Sequence, residues 1–423
     1  VSLGPVVKGG ALPHPDIGDP LTAEAGVRKR FAMKPPVADR KLLRKFKKFV
    51  HGRVRKMFGR ISPEEAFDFE DWLQNTDYPL WRKEELRKVN KEIHDVNNPD
   101  YKLVESFIKD ECYPEYKHAR PINGRCDAAK CIIGPVVKKM EEIVYQHESF
   151  IKHVPVPERP DYLKKFYVAG AKVCETDYSS FEAVFVKELM EAAEMQLYRW
   201  LLSQHPERGW ILKFMEETWL GRNRCRFKFF EVDIGATRMS GEMNTSLGNG
   251  FSNLMFMEFM CKEKGSRCRG VVEGDDGLFY IQGPIPEPSD FEKLGLIIKM
   301  KVHEAAEISS FCGMVYDPEV EAILTHGIKA MVNFGWTSSE YALSSDKKIK
   351  SLLRVKSLSL AYQYPGCPIL DALAKYGLRV TRGARIMDVI NKTRSSYQRE
   401  WLLKLPRDEK DIVWRPVDMR SRL

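Results

Sequence analysis

Val271-Val272-Glu273-Gly274-Asp275-Asp276-Gly277-Leu278-Phe279-Tyr280 joins two β-prone runs through a tight turn that holds two adjacent acids. Such a stretch reads as a hairpin with carboxylates at its tip. Hard Mg²⁺ ions need oxygen ligands, and a few carboxylates together with substrate phosphates are the usual way to hold them. An ordinary Asp-Gly hairpin turn explains the tripeptide equally well, so the chemistry requires a partner elsewhere. Asp177 fits: it stands directly after the strand-like run Lys172-Val173-Cys174-Glu175-Thr176 and before a helix starting near Phe181. Taken alone, Asp177 reads as readily as a helix cap.

Acids from two strands could hold two metals roughly 4 Å apart, which activate an attacking hydroxyl and steady a leaving group. Between the acids lies Arg238-Met239-Ser240-Gly241-Glu242-Met243-Asn244-Thr245-Ser246-Leu247-Gly248-Asn249, a Ser-Gly turn running into a helix. Thr245 and Asn249 fall one turn apart on one face, where polar groups could meet a ribose hydroxyl. A plain loop and helix start with small polar residues remains the alternative. Upstream, Lys109, Lys117, Arg120 and Arg125 are spaced cations on an irregular segment. They could clamp a triphosphate, Arg through its planar fork and Lys as a point charge, or be a solvated surface loop.

Working outward, β-like runs at Lys172 to Thr176, Arg226 to Ile234, Gly270 to Glu273 and Leu278 to Ile281 alternate with helical stretches after Phe181 and Thr245, so the class is mixed α+β. The Gly- and Pro-rich opening to about Pro36 reads as an extended arm. Lys41 to Phe58 carries Leu43, Phe46, Val50, Val54 and Met57 at helical spacing with Arg and Lys between them, a basic face that could meet RNA or anionic lipid. Ser62-Pro63-Glu64-Glu65 has the pattern of a capped helix start. Further helices are expected over Arg82 to Val96, from Pro135 towards Val154, and at Lys347 to Leu360, Pro368 to Tyr376 and Ser395 to Leu405.

The chain has 423 residues, and its 43% hydrophobic content can fill one large core or two to three subdomains. Lys and Arg exceed Asp and Glu by nine, favouring a polyanionic partner without establishing one. Nine scattered cysteines without a CxxC pair indicate neither a disulfide framework nor a zinc site, which implies a reducing compartment. No stretch approaches the roughly 20 apolar residues of a membrane span. The Val1-Ser2 start suggests a chain cut from a longer product.

The order of the pieces carries more than any one of them. The basic segment, then Asp177 to Glu182 (DYSSFE), Ser240 to Asn249 (SGEMNTSLGN) and Gly274 to Asp276 (GDD) resemble motifs F, A, B and C of positive-strand RNA virus RNA-dependent RNA polymerases. The wording RMSGEMNTSLGN is most similar to tombusvirus-like and related polymerases. Gly295 to Lys301 and Phe311-Cys312-Gly313 resemble motifs D and E.

The resemblance implies an α+β right-hand fold with fingers, an antiparallel-sheet palm and a mostly helical thumb. Its expected divisions are residues 1–170 for the N-terminal arm and fingers, 171–315 for the palm with a fingers insertion at about 204–237, and 316–423 for the thumb. It implies Asp177, Asp275 and Asp276 as metal-site acids for two Mg²⁺ ions, with Mn²⁺ as an alternative ion. It sets Lys109, Lys117, Arg120, Arg125, Glu182, Ser240, Thr245 and Asn249 around the nucleotide, and Phe311, Cys312 and Gly313 at the product strand. Lys299 and Lys301 compete for the motif D lysine, a proton donor to pyrophosphate. Glu182 stands where the family usually has Asp, one methylene further from the backbone. The expected partners are RNA template and product, NTPs, other viral replication proteins and a host membrane in the cytoplasm. A reverse transcriptase would lack the Ser-Gly…Thr…Asn segment, and a nucleocapsid protein would not need three separated acids.

Overall fold

The computed structural model describes residues 2–4, 14–111, 113, 116–155, 158–304, 309–317, 322–325, 327–337, 341–364, 367–390, 402–406, 409–412 and 414. Its strands are β1 (Leu103–Ile108), β2 (Pro121–Arg125), β3 (Lys172–Tyr178), β4 (Asn223–Arg226), β5 (Glu231–Ile234), β6 (Arg267–Glu273), β7 (Asp276–Gln282), β8 (Ile298–His303), β9 (Ser310–Phe311), β10 (Met314–Asp317) and β11 (Ala322–Thr325). They form three sheets, ordered β6-β7-β3-β8, β2-β1-β4-β5 and β11-β10-β9. The first is antiparallel throughout; in the second, β1 and β4 run parallel. The α+β class expected from the sequence is therefore observed.

The β6-β7-β3-β8 sheet is buried on both faces, because side chains alternate across it. Cys174, Val272, Phe279 and Ile281 face a large helical core, while Val173, Val271, Leu278 and Tyr280 pack with Ile151, Leu163, Phe166 and Phe311 on the other side. The helix Thr245–Lys264 lies against β6 and β7 and is apolar almost all round, as a helix in the middle of a protein must be. It stops at Gly265, whose φ of +75° gives the left-handed cap that turns the chain into β6. The helix Arg40–Met57 matches the expected basic amphipathic segment. Asp39 caps it, Phe46, Val50 and Val54 are buried, and Phe46 stacks on Phe256 at 5.1 Å between ring centroids.

Several local expectations need correction. The opening segment is not extended throughout: Asp19 accepts hydrogen bonds from the N–H groups of Leu21 and Thr22, Pro20 takes the first turn, and a helix runs Pro20–Phe31. Ser62 starts no helix. Its hydroxyl bonds the side chain and backbone N–H of Glu64 within a turn, and the next helix, Phe69–Gln74, is capped by Asp68. Pro135 lies inside the helix Asp127–Val144, which begins eight residues earlier than expected. Arg226 to Ile234 spans the end of β4 and all of β5 with a turn between them, and the helix expected from Arg82 is Leu80–Lys91. Beyond β11 the elements among the described residues are helices, with Asp346–Gln363 packed on Pro368–Val380. The helix expected at Ser395 to Leu405 lies mostly outside the described residues.

Candidate active site

Strand register brings the separated acids together. Glu273 pairs with Asp276 across the β6–β7 hairpin, leaving Gly274 and Asp275 as a two-residue turn. Gly274 has φ +60° and Asp275 does not share the positive φ, the pattern of a type II′ turn. Thr176 pairs with Gly277, so Asp177 emerges beside Asp276; on its other side Asp177 pairs with Lys299. Directly opposed residues share a face, so Glu273, Asp276, Asp177 and Lys299 form one row across four strands. Asp177 and Lys299 are exposed, and Asp275 and Asp276 half-buried.

The turn is fixed from behind. Asn253, on the helix Thr245–Lys264, donates to the Asp275 carbonyl at 2.9 Å. Gly250 on the same helix comes so close that an added Cβ would sit 3.5 Å from the Gly274 nitrogen. Burial, then the charges of Glu182, Asp276 and Asp177, push the Asp275 carboxyl up to about 7 against a hydrogen bond from its own backbone. Burial and Asp177 also raise Asp276, against a hydrogen bond from Cys312. Carboxylates crowded in this way lack positive charge. Among the described residues no three His, Cys, Asp or Glu side chains converge closely enough to hold a metal ion by themselves. Carboxylate oxygens are ligands for hard divalent cations, which can draw their other ligands from water and substrate phosphates.

A cavity of about 240 Å³ opens on this row, lined by Asp177, Asp276, Lys299, Lys301 and Phe311 to Gly313 among others. Segments matched to motifs A, C, D and E thus share one pocket. Glu175, which the sequence reading did not single out, holds its wall. Its carboxylate accepts the Ser310 N–H, the Ser310 hydroxyl at 3.1 Å and the His303 ring nitrogen at 2.8 Å. Lys301 lies opposite Glu175, with Nζ 3.9 Å from that carboxylate.

The expected nucleotide-facing residues divide. Lys109, Lys117 and Arg120 lie on or beside the loop between β1 and β2, Lys117 and Arg120 exposed to solvent and Lys109 half-buried. Glu111 bridges two of them, at 2.8 Å from Lys109 and 2.5 and 3.0 Å from Arg120. Burial alone would raise Glu111; the bonds from Arg120, Lys109 and Tyr113 take its carboxyl down to about 2. Glu182 sits near Asp275 and forms a 3.2 Å ion pair with Arg30 of the helix Pro20–Phe31. Ser240 accepts the Asn123 N–H at 3.2 Å, and the Gly241 N–H donates to the Asn123 carbonyl at 2.8 Å, stitching the Ser-Gly turn to β2. Thr245 donates to the Met239 carbonyl at 3.0 Å.

Asn249 is buried, and its carbonyl oxygen accepts from Arg238 Nε at 3.0 Å. Arg238 is in turn paired with Glu194 at 2.5 Å, both fully buried, so a hidden ion pair fixes the entry to this helix. Arg125 departs from its expected place. It is 2% exposed, and its guanidinium is spent on Glu242, Asn223 and the carbonyls of Lys102 and Thr218. A donor so occupied braces the fold and is left out of the nucleotide-facing set.

Residues 38–315 match the family model described as RNA dependent RNA polymerase, covering the acid row, the Ser-Gly turn and the basic loop. The chain belongs to this polymerase family. Similar proteins include the RNA-directed RNA polymerases of Greasy grouper nervous necrosis virus, 25% identical over 214 residues, and of Striped jack nervous necrosis virus, 24% identical over 214 residues. Each match covers 48% of this chain and 22% of the relative, so the chain spans about a fifth of the length of the curated relatives it matches. The resemblance to positive-strand RNA virus polymerases is upheld at the level of the family. The narrower tombusvirus-like affinity remains a likeness of the Arg238 to Asn249 wording.

Proposed function

We propose that the chain carries out template-directed RNA synthesis from NTPs by two-metal nucleotidyl transfer. The observation that carries this reading is the register placing Asp177 beside Asp276, next to the Asp275 turn, in a chain of this family. In right-hand terms, residues 1–170 are arm and fingers, 171–315 the palm with a fingers insertion at about 204–237, and 316–423 the thumb.

Asp177 and Asp275 would be the main ligands of two Mg²⁺ ions, with Asp276 beside them and Mn²⁺ as an alternative. Such ions lower the pKa of an attacking 3′-hydroxyl and neutralise charge on the leaving pyrophosphate. The chain's own residues orient and protonate. Lys109, Lys117 and Arg120 receive the triphosphate, for which Arg120 must exchange Glu111 for phosphate. Glu182, Ser240 and Thr245 border the ribose, and Asn249 stands behind them through Arg238. Lys299, opposite Asp177, is favoured over Lys301 as proton donor to pyrophosphate, because Lys301 faces Glu175. Phe311 to Gly313 would support the product-strand end.

RNA template, product strand and NTPs are the partners on this reading. In the cell it places the chain in a membrane-associated replication complex of the host cytoplasm. No helix of the described residues is long and apolar enough to cross a membrane.

Primer extension with labelled NTPs on an RNA template, with and without Mg²⁺, tests the proposal. Asp177→Ala and Asp275→Ala should each lose roughly 10³-fold or more while staying folded and RNA-bound. Near-normal incorporation by either variant refutes it.

A further inference from the structure

At the end of the β6–β7 hairpin away from the acid turn, about 20 Å along β7, the helix Arg40–Met57 borders a basic groove. Its residues Lys45, Lys48, Phe49, Gly52, Arg53 and Lys56 recur at three- and four-residue spacing and share one face. A cavity of about 450 Å³ lies between this face and Phe259, Lys262 and Glu263. A second, of about 520 Å³, shares Phe49 and Arg53 with it and continues to Arg267, Arg269 and Tyr280. Gly52 costs the helix about 1 kcal/mol relative to Ala, yet an added Cβ there would meet nothing within 4 Å. The helix carries a notch where packing does not require one.

The groove holds more positive charge than the fold uses. Its acids are engaged: Glu258 accepts two bonds from Arg53 at 2.6 and 2.8 Å, and Glu263 pairs with Lys45 at 3.1 Å. Lys48, Lys56 and Arg267 are exposed and have no ion-pair partner among the described residues. Lys262 sits over the Phe49 ring at 5.3 Å. Towards the second cavity, Tyr167 is 67% exposed with its ring 6.4 Å from that of Tyr280.

Spare cations with an open aromatic face are what single-stranded nucleic acid requires, the cations tracking phosphates and the ring stacking a base. A membrane is the poorer fit. A surface-bound helix inserts its apolar face into lipid, and here Phe46, Val50 and Val54 are spent in the core. None of the strongly exposed large apolar side chains lies in 40–57 or 258–269. We propose that this groove binds single-stranded RNA outside the catalytic cleft, so that a long strand is held at two places. The proposal rests on the polymerase reading for its biological sense, but its binding chemistry stands apart. From Lys45 to Lys56 the face runs about 16 Å, room for several phosphates.

The test measures binding of the full chain to labelled RNAs of about 8 and about 30 nucleotides across a salt series, alongside extension of a short primed template. Lys48→Glu with Lys56→Glu should weaken the long RNA at least 10-fold. Neutral Lys48→Gln with Lys56→Gln should act in the same direction and flatten the slope of log K against log salt by about 1.4, near 0.7 for each cation removed. Short-template extension should not change. Long-RNA affinity within twofold of the unaltered chain, in variants with unaltered circular dichroism, overturns the proposal. So does loss of binding to phosphatidylserine vesicles with long-RNA binding intact, which would assign the surface to a membrane. Failure of the polymerase reading would show separately, as no incorporation by the unaltered chain on the short template.

Discussion

Asp275→Asn should stabilise the metal-free chain above neutral pH while abolishing its chemistry. The folded state raises this carboxyl from an ordinary 3.8 to about 7 through burial and the charges of Glu182, Asp276 and Asp177. A carboxyl with a raised folded pKa binds its proton more tightly folded than unfolded. The metal-free fold is therefore most stable below the ordinary value and loses stability as pH climbs from about 4 to about 7. At pH 8 the full penalty is at most about 4 kcal/mol; water reaching the half-open turn reduces it to roughly 1–3 kcal/mol. Asn keeps the shape and removes the charge. In a chain of this size, 1 kcal/mol moves the melting temperature by roughly 1–2 °C, so Asp275→Asn should melt a few degrees higher in EDTA at pH 8 and approach parity only near pH 4. Mg²⁺ should raise the melting temperature of the unaltered chain more at pH 8 than at pH 5, and that of the variant less. A variant that melts at or below the unaltered chain in EDTA at pH 8 refutes the crowded-carboxylate reasoning.

Glu182→Gln should lower the preference for NTP over dNTP roughly 10-fold, the loss of about one charge-assisted hydrogen bond, read from competing incorporation; an unchanged ratio would mean Glu182 serves only its Arg30 pair. Arg125→Ala strands the buried Glu242 carboxylate and should cost about 3–5 kcal/mol in denaturant unfolding, whereas a nucleotide-contact role would raise the NTP KM at constant stability. Glu175→Gln should weaken the hold on Ser310 and His303 and raise the KM for primed template more than it lowers kcat; equal loss in kcat and kcat/KM at unchanged KM would point instead to the acid row itself.

The parts legible in the sequence were those with local period. β-prone runs placed Asp177 at a strand end and Asp275 and Asp276 at a hairpin tip, helical spacing outlined the helix at Lys41 to Phe58, and the Ser-Gly turn marked a helix start near Thr245. Pairings between distant segments were not legible. Glu175 meets His303 and Ser310 across 128 and 135 residues, and no local pattern marks an acid inside a strand as a clamp. Register likewise separates Lys299 from Lys301, whose spacing alone leaves them equivalent. Arg125 looked like a surface cation because its neighbours are basic; its burial depends on Glu242, 117 residues on. The opening helix was missed for another reason. Asp19-Pro20 is a sound start signal, but the surrounding Gly and Pro outweighed it.

Strain is concentrated where the chemistry is expected. Among the described residues, the non-glycine residues with positive φ are Ser180, at +55°, and Cys312, at +53°. Each costs on the order of 1 kcal/mol or more. Ser180 follows Asp177 by three residues. Cys312 lies in the turn from β9 to β10, with its sulfur 3.7 Å from the Glu273 carboxylate. With Gly274 and Gly313, at +60° and +72°, they are four left-handed residues beside one row of acids, and two of the four are glycine. Such conformations persist only where the surroundings over-determine them. For Ser180 the surroundings are aromatic: Phe181 packs on Tyr178 at 5.1 Å and on Phe185 at 5.0 Å between centroids, and Phe185 meets Phe256 on the central helix at 6.2 Å. The bend after Asp177 is therefore set by the core beneath it, not by the preference of its own residues. The geometry of the acid row is thus coupled to packing some distance from any substrate, and the strained turns stay where the buried rings hold them.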